Sequence, residues 1–307
     1  MGYPYLIEYG VQDVQENLCD YIINNRDFIF KKVHNTGAVL FRGFNLKTAE
    51  DFRKVVTILQ PELQNYIGGD SPRSKVTDNI YTSTSYPPEE IISMHHEKSF
   101  SNSYPKLIYF FCEIEPNIGG ETPIADGREI YKKMPSDIIE KFEKRKLKYI
   151  MNMHSGDGFG KSWKDVFEIS SKIELEKLLN ELKIKFKWKE NGLLQVEEIV
   201  NPIIIHPENG DKIFFSQADQ WHPSNLDEKV LADMKEIMPE EDFYHNCRYG
   251  DDSEISFEDL NRIKEIVNKE RVFFKWKRGD LLILDNLISM HGRNSFSGPR
   301  RILVAMS

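Results

Sequence analysis

Two histidines and a glutamate, placed near the first third and the end of the chain, have the types and spacing needed to bind one metal ion. His95 and Glu97 are separated by one residue, so in an extended segment their side chains lie on the same face. His291 follows an apolar run near the C-terminus and offers a third ligand. Two imidazoles and one carboxylate on one face of a metal leave other coordination positions open, an arrangement that suits reactive Fe(II). The sequence therefore predicts a mononuclear iron site.

The residue between the first two ligands, His96, raises a question of register because it could in principle replace His95. Adjacent residues of a strand point to opposite faces, so His96 and Glu97 would not converge on one ion. We therefore assign the metal to His95, Glu97 and His291 and expect His96 to face away from it. Four further histidines have no partner pattern and are expected to be packed or surface residues. These are His34, His154, His206 and His245.

The composition is that of an acidic globular protein with a sizeable core. The 307 residues are 40% hydrophobic and 29% charged, and the formal net charge of −8 argues against nucleic acid as the main partner. No apolar run approaches the roughly 18 residues of a membrane span, and the N-terminus lacks the pattern of a signal peptide. The three cysteines form no CxxC pair, so we expect a reducing, cytoplasmic location without membrane attachment.

Hydrophobic patterning predicts many short strands with helices inserted between them. Residues 11–32 have apolar side chains at near-helical spacing, whereas residues 38–44 form an apolar run ended by glycine, as in a buried strand. Residues 192–215 alternate apolar runs with turns, which is typical of an antiparallel sheet. No β-α-β order repeats. We therefore predict one mainly β domain over residues 1–307, with a double-stranded β-helix (jelly-roll) core and helical insertions at roughly 127–270.

Five blocks of sequence carry a resemblance to a known group of enzymes. They are residues 95–97, 109–116, 119–126, 276–286 and 291–306. In these blocks the chain resembles the taurine dioxygenase and clavaminate synthase-like family of Fe(II)/2-oxoglutarate-dependent oxygenases. Within that family it is most similar to the branch that contains the syringomycin-pathway aspartyl hydroxylase. Weaker similarity extends the resemblance over most of the chain.

The resemblance implies that the three predicted ligands bind Fe(II), with 2-oxoglutarate and O2 as cosubstrates. It also implies that Arg301 receives the distal carboxylate of 2-oxoglutarate, with Thr122 as a hydrogen-bonding partner. Arginine presents a planar, permanently charged fork that matches a carboxylate, and a threonine hydroxyl can donate one more hydrogen bond. Arg300 alternates to the other face of the same predicted strand, so we expect it to be a surface or structural residue.

The identity of Glu97 bears on the type of reaction. Many relatives have aspartate here, and relatives that halogenate have alanine or glycine, which leaves room for chloride. The resemblance therefore implies hydroxylation of an unactivated C–H bond, coupled to oxidative decarboxylation of 2-oxoglutarate. Desaturation, epoxidation and cyclisation remain open as alternatives. So do a non-catalytic protein that binds the metal and 2-oxoglutarate, and a zinc hydrolase that uses the same ligands.

Polar residues from separate segments are candidates for binding the organic substrate. They are Arg73, Gln217, Arg248 and His222. Arg73 belongs to an irregular polar segment, residues 66–88, that leads into His95; such segments are often functional, and a plain surface loop is the alternative. The branch implies an amino acid or amino-acid derivative in natural-product biosynthesis, either free or tethered to a peptidyl carrier protein. Because carrier proteins are usually acidic, the acidic chain favours a free substrate.

Overall fold

The computed structural model describes residues 3–10, 17–65 and 73–307. The start of the first predicted helix (11–16) and the first part of the polar segment (66–72) lie outside these residues. Within the described ranges no helix combines the length and apolar character needed to cross a bilayer.

Helices and strands are both abundant along the chain. The helices are α1 (Leu18–Thr36), α2 (Ala49–Leu59), α3 (Gly127–Lys133), α4 (Ser136–Arg145), α5 (Trp163–Phe167), α6 (Lys172–Glu181), α7 (Ala218–Trp221), α8 (Glu228–Ile237) and α9 (Phe257–Lys269). The strands are β1 (Tyr5–Glu8), β2 (Ala38–Arg42), β3 (Lys75–Thr77), β4 (Ile80–Thr82), β5 (Ile92–His95), β6 (Leu107–Ile114), β7 (Ile118–Gly119), β8 (Ile124–Asp126), β9 (Leu147–Met153), β10 (Lys185–Trp188), β11 (Leu194–Val200), β12 (Ile203–Ile205), β13 (Lys212–Phe214), β14 (His245–Tyr249), β15 (Leu281–Asp285), β16 (Ser289–Arg293), β17 (Phe296–Ser297) and β18 (Arg301–Met306). The protein is therefore mixed α and β rather than mainly β, because the insertions between β8 and β15 contribute helices α3 to α9.

A seven-stranded sheet with the order β1-β2-β15-β6-β18-β4-β3 forms the larger wall of the fold. Its central strands are buried on both faces, which explains why their sequences are continuously apolar. One face packs against α1 and α2, where Phe52 of α2 stacks on Phe111 of β6 with ring centroids 5.5 Å apart. The opposite face, which carries Phe110 and Val304, lines an apolar interior.

A three-stranded sheet with the order β5-β16-β8 lies across that interior. Its member Ile124 packs in the same apolar cluster as Phe110 of the larger sheet. In the antiparallel register of this small sheet, His291 is opposite His95 on one side and Ile124 on the other. The ring of Phe110 lies 5.2 Å from that of His291, centroid to centroid. The two sheets therefore face each other, and the predicted metal ligands lie on the inner side of the smaller one.

The inserted region between β8 and β15 builds a second sheet of its own, with the order β10-β11-β9-β14. This sheet packs with α4, α6 and α9 around a core that includes Phe142, Leu179 and Leu260. The antiparallel pairing predicted for residues 192–215 is confirmed, since β11 pairs antiparallel with β9 and β10, and β12 with β13. The insertion is thus a sheet-and-helix layer rather than a set of helices alone.

Candidate metal centre

The structure brings the three predicted ligands together at the end of the small sheet. His95 is the last residue of β5, Glu97 lies in the turn that follows, and His291 lies on the neighbouring strand β16. One ligand atom from each residue lies within 4.8 Å of the other two. His291 Nε2 is 3.8 Å from Glu97 Oε2, and the two imidazole rings are 4.5 Å apart, centroid to centroid. Pairing of β5 with β16 therefore accounts for the convergence of residues far apart in sequence.

Hydrogen bonding and burial leave these side chains in the protonation states that ligate metals. The carbonyl of Ser93 lies 2.8 Å from His95 Nδ1, and because a carbonyl can only accept, Nδ1 carries a proton; in the neutral ring Nε2 is then the nitrogen that can ligate a metal. Burial, with His95 and Arg73 nearby, holds the pKa of His291 well below its usual range, so its imidazole is neutral. Neutral imidazoles and a carboxylate are the donor forms that bind divalent metals. The donor set fits Fe(II).

His96, between the predicted ligands His95 and Glu97, has a structural role. His96 is fully buried, and its two ring nitrogens lie 2.7 Å from the Asn286 carbonyl and 3.0 Å from the Phe214 carbonyl. Burial lowers the pKa of His96 to about 4. It therefore points away from the ligand cluster, as the alternation of a strand predicts.

The position of Glu97 is determined by the side chain of Asn286, at the end of β15. The amide oxygen of Asn286 accepts from the Glu97 N–H at 2.8 Å, and its nitrogen donates to the carbonyls of Glu97 at 3.0 Å and Pro105 at 2.8 Å. The side chain is completely buried. Asn286, directly after a strand of the larger sheet, thus fixes the turn that contains the predicted ligand Glu97.

We expect Asn286→Ala to lower the free energy of unfolding by about 3 kcal/mol, because three buried backbone groups each lose a partner worth about 1 kcal/mol. Urea unfolding followed by circular dichroism measures this change. Asn180→Ala is the matched control, since Asn180 is exposed and donates only to the Glu176 carbonyl of its own helix. Equal stability changes in the two variants would show that Asn286 does not hold the turn.

Arg73, one of the predicted substrate residues, lies directly on the metal carboxylate. Its Nη2 donates to Glu97 Oε2 at 2.7 Å, and the two side chains are only 3% and 5% exposed. Removing one member of such a buried pair is costly because the other charge is left uncompensated. Arg73 also borders the same small pocket as His95 and His291. Arg73 therefore lies against the carboxylate of a predicted metal ligand.

The small pocket beside the ligands contains Arg300 and not Arg301. Arg300 Nε donates to the Gly120 carbonyl at 3.0 Å and its Nη1 to Ser83 Oγ at 3.3 Å. Burial lowers the pKa of Arg300 to about 10, so it remains cationic at neutral pH. Arg301 lies on the opposite face of β18, is 44% exposed and pairs with Glu113 at 2.7 Å. The prediction that Arg301 faces the pocket and Arg300 does not is therefore wrong.

The reason for this error lies in the strand itself. Ile302 and Val304 face the interior between the sheets, and Arg300 has the same parity. Leu303 and Ala305 face helices α1 and α2 instead. Because both faces of β18 are apolar, its sequence contains no alternation of polarity that could indicate which arginine points inward.

Thr122 also borders this pocket, and its surroundings leave its hydroxyl proton available. The Oγ1 of Thr122 accepts from Trp276 Nε1 at 3.0 Å, and an indole N–H can only donate. The threonine hydroxyl is therefore free to donate its own proton to an anion. A buried guanidinium and a hydroxyl donor on the walls of one pocket match the needs of a carboxylate.

Arg293 also borders the pocket, although we did not single it out from the sequence. It is 5% exposed and donates to backbone carbonyls of the segment between β4 and β5. The acceptors are the carbonyls of Thr84, Tyr86, Pro87 and Glu90. Its position directly after His291-Gly292 was the available signal. Arg293 holds the end of the irregular segment against the metal-binding strand.

The other predicted substrate residues do not border this pocket. Gln217 is buried; with its amide oxygen facing Trp221 Nε1, its nitrogen donates to the His96 carbonyl at 2.9 Å. His222 borders a different cavity, and its Nδ1 pairs with Ser224 Oγ at 2.8 Å. Arg248 lies on the outer face of the inserted sheet and pairs with Glu254 at 2.7 Å. The structure therefore does not bring Gln217, His222 and Arg248 together at the metal centre.

A second histidine and aspartate cluster lies outside the pocket. Asp285 Oδ2 is 2.7 Å from His34 Nδ1 and 2.9 Å from His206 Nε2. The Glu208 N–H donates to His206 Nδ1 at 3.3 Å, so the ring proton is on Nε2 and is donated to Asp285. Asp285 Oδ1 accepts from the Leu287 N–H at 3.0 Å. These hydrogen bonds satisfy the carboxylate and join α1, the β12–β13 hairpin and β15.

This cluster predicts a pH dependence of stability. The hydrogen bond with Asp285 raises the pKa of His34. Burial favours the neutral form of Asp285, but the hydrogen bonds from His206 and His34 outweigh it and hold the pKa of Asp285 below its usual range. Because the folded-state pKa of His34 is raised, its contribution is fully present below the unfolded value of about 6.5 and is lost as pH rises through the folded value. We expect wild type to lose more stability than His34→Gln between about pH 6 and about pH 9. Thermal unfolding of both proteins across this range measures the difference; parallel curves would contradict it.

Sequence comparisons agree with the geometry. A family model described as "Taurine catabolism dioxygenase TauD, TfdA family" matches residues 18–306. The dapdiamide synthesis protein DdaC of Enterobacter agglomerans is 31% identical over 270 residues, which cover 88% of this chain and 82% of that protein. A clavaminate synthase-like protein of Arabidopsis thaliana is 29% identical over 298 residues, covering 93% of this chain and 86% of the relative.

Solved structures share the fold at low identity. The structure of AAD-2 in complex with Mn(II) and N-oxalylglycine superposes with a TM-score of 0.58 at 13% identity and covers 100% of this chain and 94% of that one. The PvcB protein of Pseudomonas aeruginosa gives a TM-score of 0.54 at 14% identity, with 98% and 84% covered. The family match over nearly the whole chain confirms the resemblance inferred from the sequence. The chain thus belongs to the TauD/TfdA family and is a non-haem dioxygenase that uses Fe(II), 2-oxoglutarate and O2.

Proposed function

We propose that this protein hydroxylates an unactivated C–H bond of an amino acid or amino-acid derivative in natural-product biosynthesis. The observation that carries the proposal is the complete set of two imidazoles and a carboxylate beside a pocket with a buried arginine and a threonine hydroxyl. One relative is named as a dapdiamide synthesis protein, and this similarity supports a role in biosynthesis. The substrate is a small molecule, either free or tethered to a peptidyl carrier protein.

In this proposal the protein supplies the metal ligands, binds 2-oxoglutarate and positions the substrate. His95, Glu97 and His291 hold Fe(II), which when bound supports oxidative decarboxylation of 2-oxoglutarate to succinate and CO2 as one oxygen atom of O2 enters the substrate. Arg300 and Thr122 receive the distal carboxylate of 2-oxoglutarate through charge-assisted and hydroxyl hydrogen bonds. Holding the reactants in one geometry decides which C–H bond is oxidised.

The chain's own residues keep this geometry rigid. Ser83 and the Gly120 carbonyl fix the Arg300 guanidinium, and Arg73 fixes the carboxylate of Glu97. Partners that orient metal ligands in this way affect metal affinity by about 10–100-fold. Because Glu97 fills the third protein-ligand position, halide is disfavoured there and hydroxylation is the expected outcome, with desaturation, epoxidation or cyclisation as alternative outcomes.

Three broader expectations belong to the same proposal. The seven-stranded and three-stranded sheets form the two sides of a double-stranded β-helix, supported by their shared apolar interior. The chain acts as one domain, supported by a family match over residues 18–306 and by a candidate metal site whose residues are almost 200 positions apart within it. It works in the cytoplasm, supported by three free cysteines, two of which are buried.

The test begins with anaerobic protein to which Fe(II) and 2-oxoglutarate are added. The oxygenase proposal expects a visible charge-transfer band, and then succinate release that depends on O2 when amino acids and carrier-bound amino acids are supplied. A stable band with no oxygen-dependent succinate release for any substrate would favour a non-catalytic binding protein. Turnover that needs neither O2 nor 2-oxoglutarate would favour a zinc hydrolase.

A further inference from the structure

A cavity of about 680 Å³ begins at the residue that follows the metal carboxylate. Lys98 borders it directly after Glu97, and Phe100 and residues 101–103 of the same loop continue the wall. The small pocket that contains Arg300 and Thr122 is separate from this cavity. None of the three predicted ligands borders the cavity, and Lys98 connects its wall to Glu97 along the chain.

Most of the cavity wall is aromatic or aliphatic. The apolar side chains come from the inserted sheet, from helices α5, α6 and α7, and from the loop after Glu97. They include Phe100, Met151, Phe167, Leu178, Val196 and Trp221. Phe100, Met151, Phe167 and Trp221 are each less than 10% exposed, so these walls are screened from bulk water. The inserted region thus builds a concave apolar surface that reaches the loop after Glu97.

The cavity is partly open to solvent, since Asn102, Glu168 and Leu182 on its walls are exposed. Cavities of roughly 300–1,000 Å³ lined mainly by apolar groups with a few polar ones are typical of small-molecule sites. Its size and lining therefore indicate a ligand rather than a packing defect.

One group of polar side chains borders the cavity along the loop after Glu97, and Gln64, Asn65 and Glu168 contribute further polar groups from other segments. Glu198 accepts from the Asn102 N–H at 2.9 Å and from its side-chain nitrogen at 3.1 Å, and Lys98 lies in the same region. Further along β11, Val196 pairs in register with Met151 of β9, and the wall becomes apolar. A ligand with one polar end and one bulky apolar end matches this distribution.

We infer that this cavity receives the non-polar group of the substrate, so that the substrate is an amino acid or amino-acid derivative with an aryl or large aliphatic substituent. The inference rests on the proposed oxygenase function, because it names the substrate class of that site. The polar end of the substrate lies beside Lys98 and Asn102, near Glu97. Its apolar group extends between β9, β11 and helices α5 and α6. Small polar amino acids such as aspartate leave this space unfilled.

A probe that needs neither iron nor oxygen tests the cavity itself. Wild-type protein should bind 8-anilinonaphthalene-1-sulfonate saturably, with fluorescence enhancement. Val196→Phe places a ring into the cavity and should weaken probe binding at least tenfold. Val230→Phe, the same change on helix α8 where the side chain is 45% exposed, should bind the probe as wild type does. Absence of saturable binding to wild type, or equal binding to Val196→Phe, overturns the inference.

A second variant guards against misfolding of the first. If circular dichroism shows that Val196→Phe is unfolded, Leu178→Phe fills the cavity from α6, and the same criterion applies to it. Unchanged probe binding in a folded Leu178→Phe protein also overturns the inference.

Amino acids then test the substrate class. L-Homophenylalanine and L-leucine should displace the probe at concentrations at least tenfold lower than L-aspartate and L-asparagine, and should stimulate oxygen-dependent succinate release more strongly. A visible iron–2-oxoglutarate band with turnover stimulated by aspartate but not by homophenylalanine overturns the cavity inference and leaves the oxygenase proposal intact. Displacement by homophenylalanine in a protein without the band refutes the oxygenase proposal and supports an apolar ligand in the cavity.

Discussion

Replacing His291 with alanine should abolish both iron binding and oxygen-dependent turnover. His291 is buried, and its Nε2 lies beside Glu97 Oε2, so alanine leaves the metal with only two protein ligands. Changes to residues that merely orient metal ligands cost about 10–100-fold in affinity or activity, and loss of a ligand should exceed this, leaving less than about 1% of activity. Iron per chain after anaerobic reconstitution and dialysis, together with the visible band, measures the effect.

The second histidine and aspartate cluster provides the matched control for this experiment. His34 contributes to a group of two histidines and one carboxylate whose ligand-type atoms also lie within 4.8 Å of one another. Since hydrogen bonds already satisfy Asp285, His34→Ala should retain the iron content of wild type. If His34→Ala lost iron and His291→Ala kept it, the metal centre would lie at Asp285 and our assignment would fail.

Arg300→Met should raise the concentration of 2-oxoglutarate needed for half-maximal activity by about 30-fold or more, because truncating a buried charged hydrogen-bonding partner costs roughly 2–5 kcal/mol. Arg301→Met should change it by less than about twofold, since the exposed Arg301–Glu113 pair is of a type worth about 0–1 kcal/mol. Anaerobic titration of the visible band with 2-oxoglutarate measures affinity independently of turnover.

The conservative variant separates a binding role from a structural one. Arg300→Lys keeps a positive charge but loses the planar fork, so we expect 2-oxoglutarate affinity between those of wild type and Arg300→Met. High concentrations of 2-oxoglutarate should restore turnover in Arg300→Met if its fold is intact. A large effect of Arg301→Met with none of Arg300→Met would return the role to Arg301.

The agreement between sequence and structure is best where local spacing alone decides the outcome. The one-residue separation of His95 and Glu97 and the alternation that turns His96 away are properties of any extended segment. The structure shows His96 on two backbone carbonyls and away from the ligands. Family membership was also accessible, because it is encoded in contiguous blocks that extend to the last strand.

The disagreements occur where two elements distant in sequence must meet. Arg248 and His222 lie in polar segments that seemed able to reach the site, yet they border other surfaces of the inserted region. The pairing of β9 with β11 and β14 determines that placement, and the local sequence around Arg248 or His222 does not predict this pairing.

The amino-acid sequence by itself thus predicted the candidate donor set, and it determined the family and the presence of an arginine pair at the start of the last strand. Only the tertiary structure decided that Arg300 points inward, because a strand buried on both faces carries no polarity signal. It also decided that Arg73 lies on Glu97 and that an apolar cavity borders the loop after Glu97. Both depend on long-range packing, which brings together side chains that are far apart in sequence and follow no helical or strand periodicity.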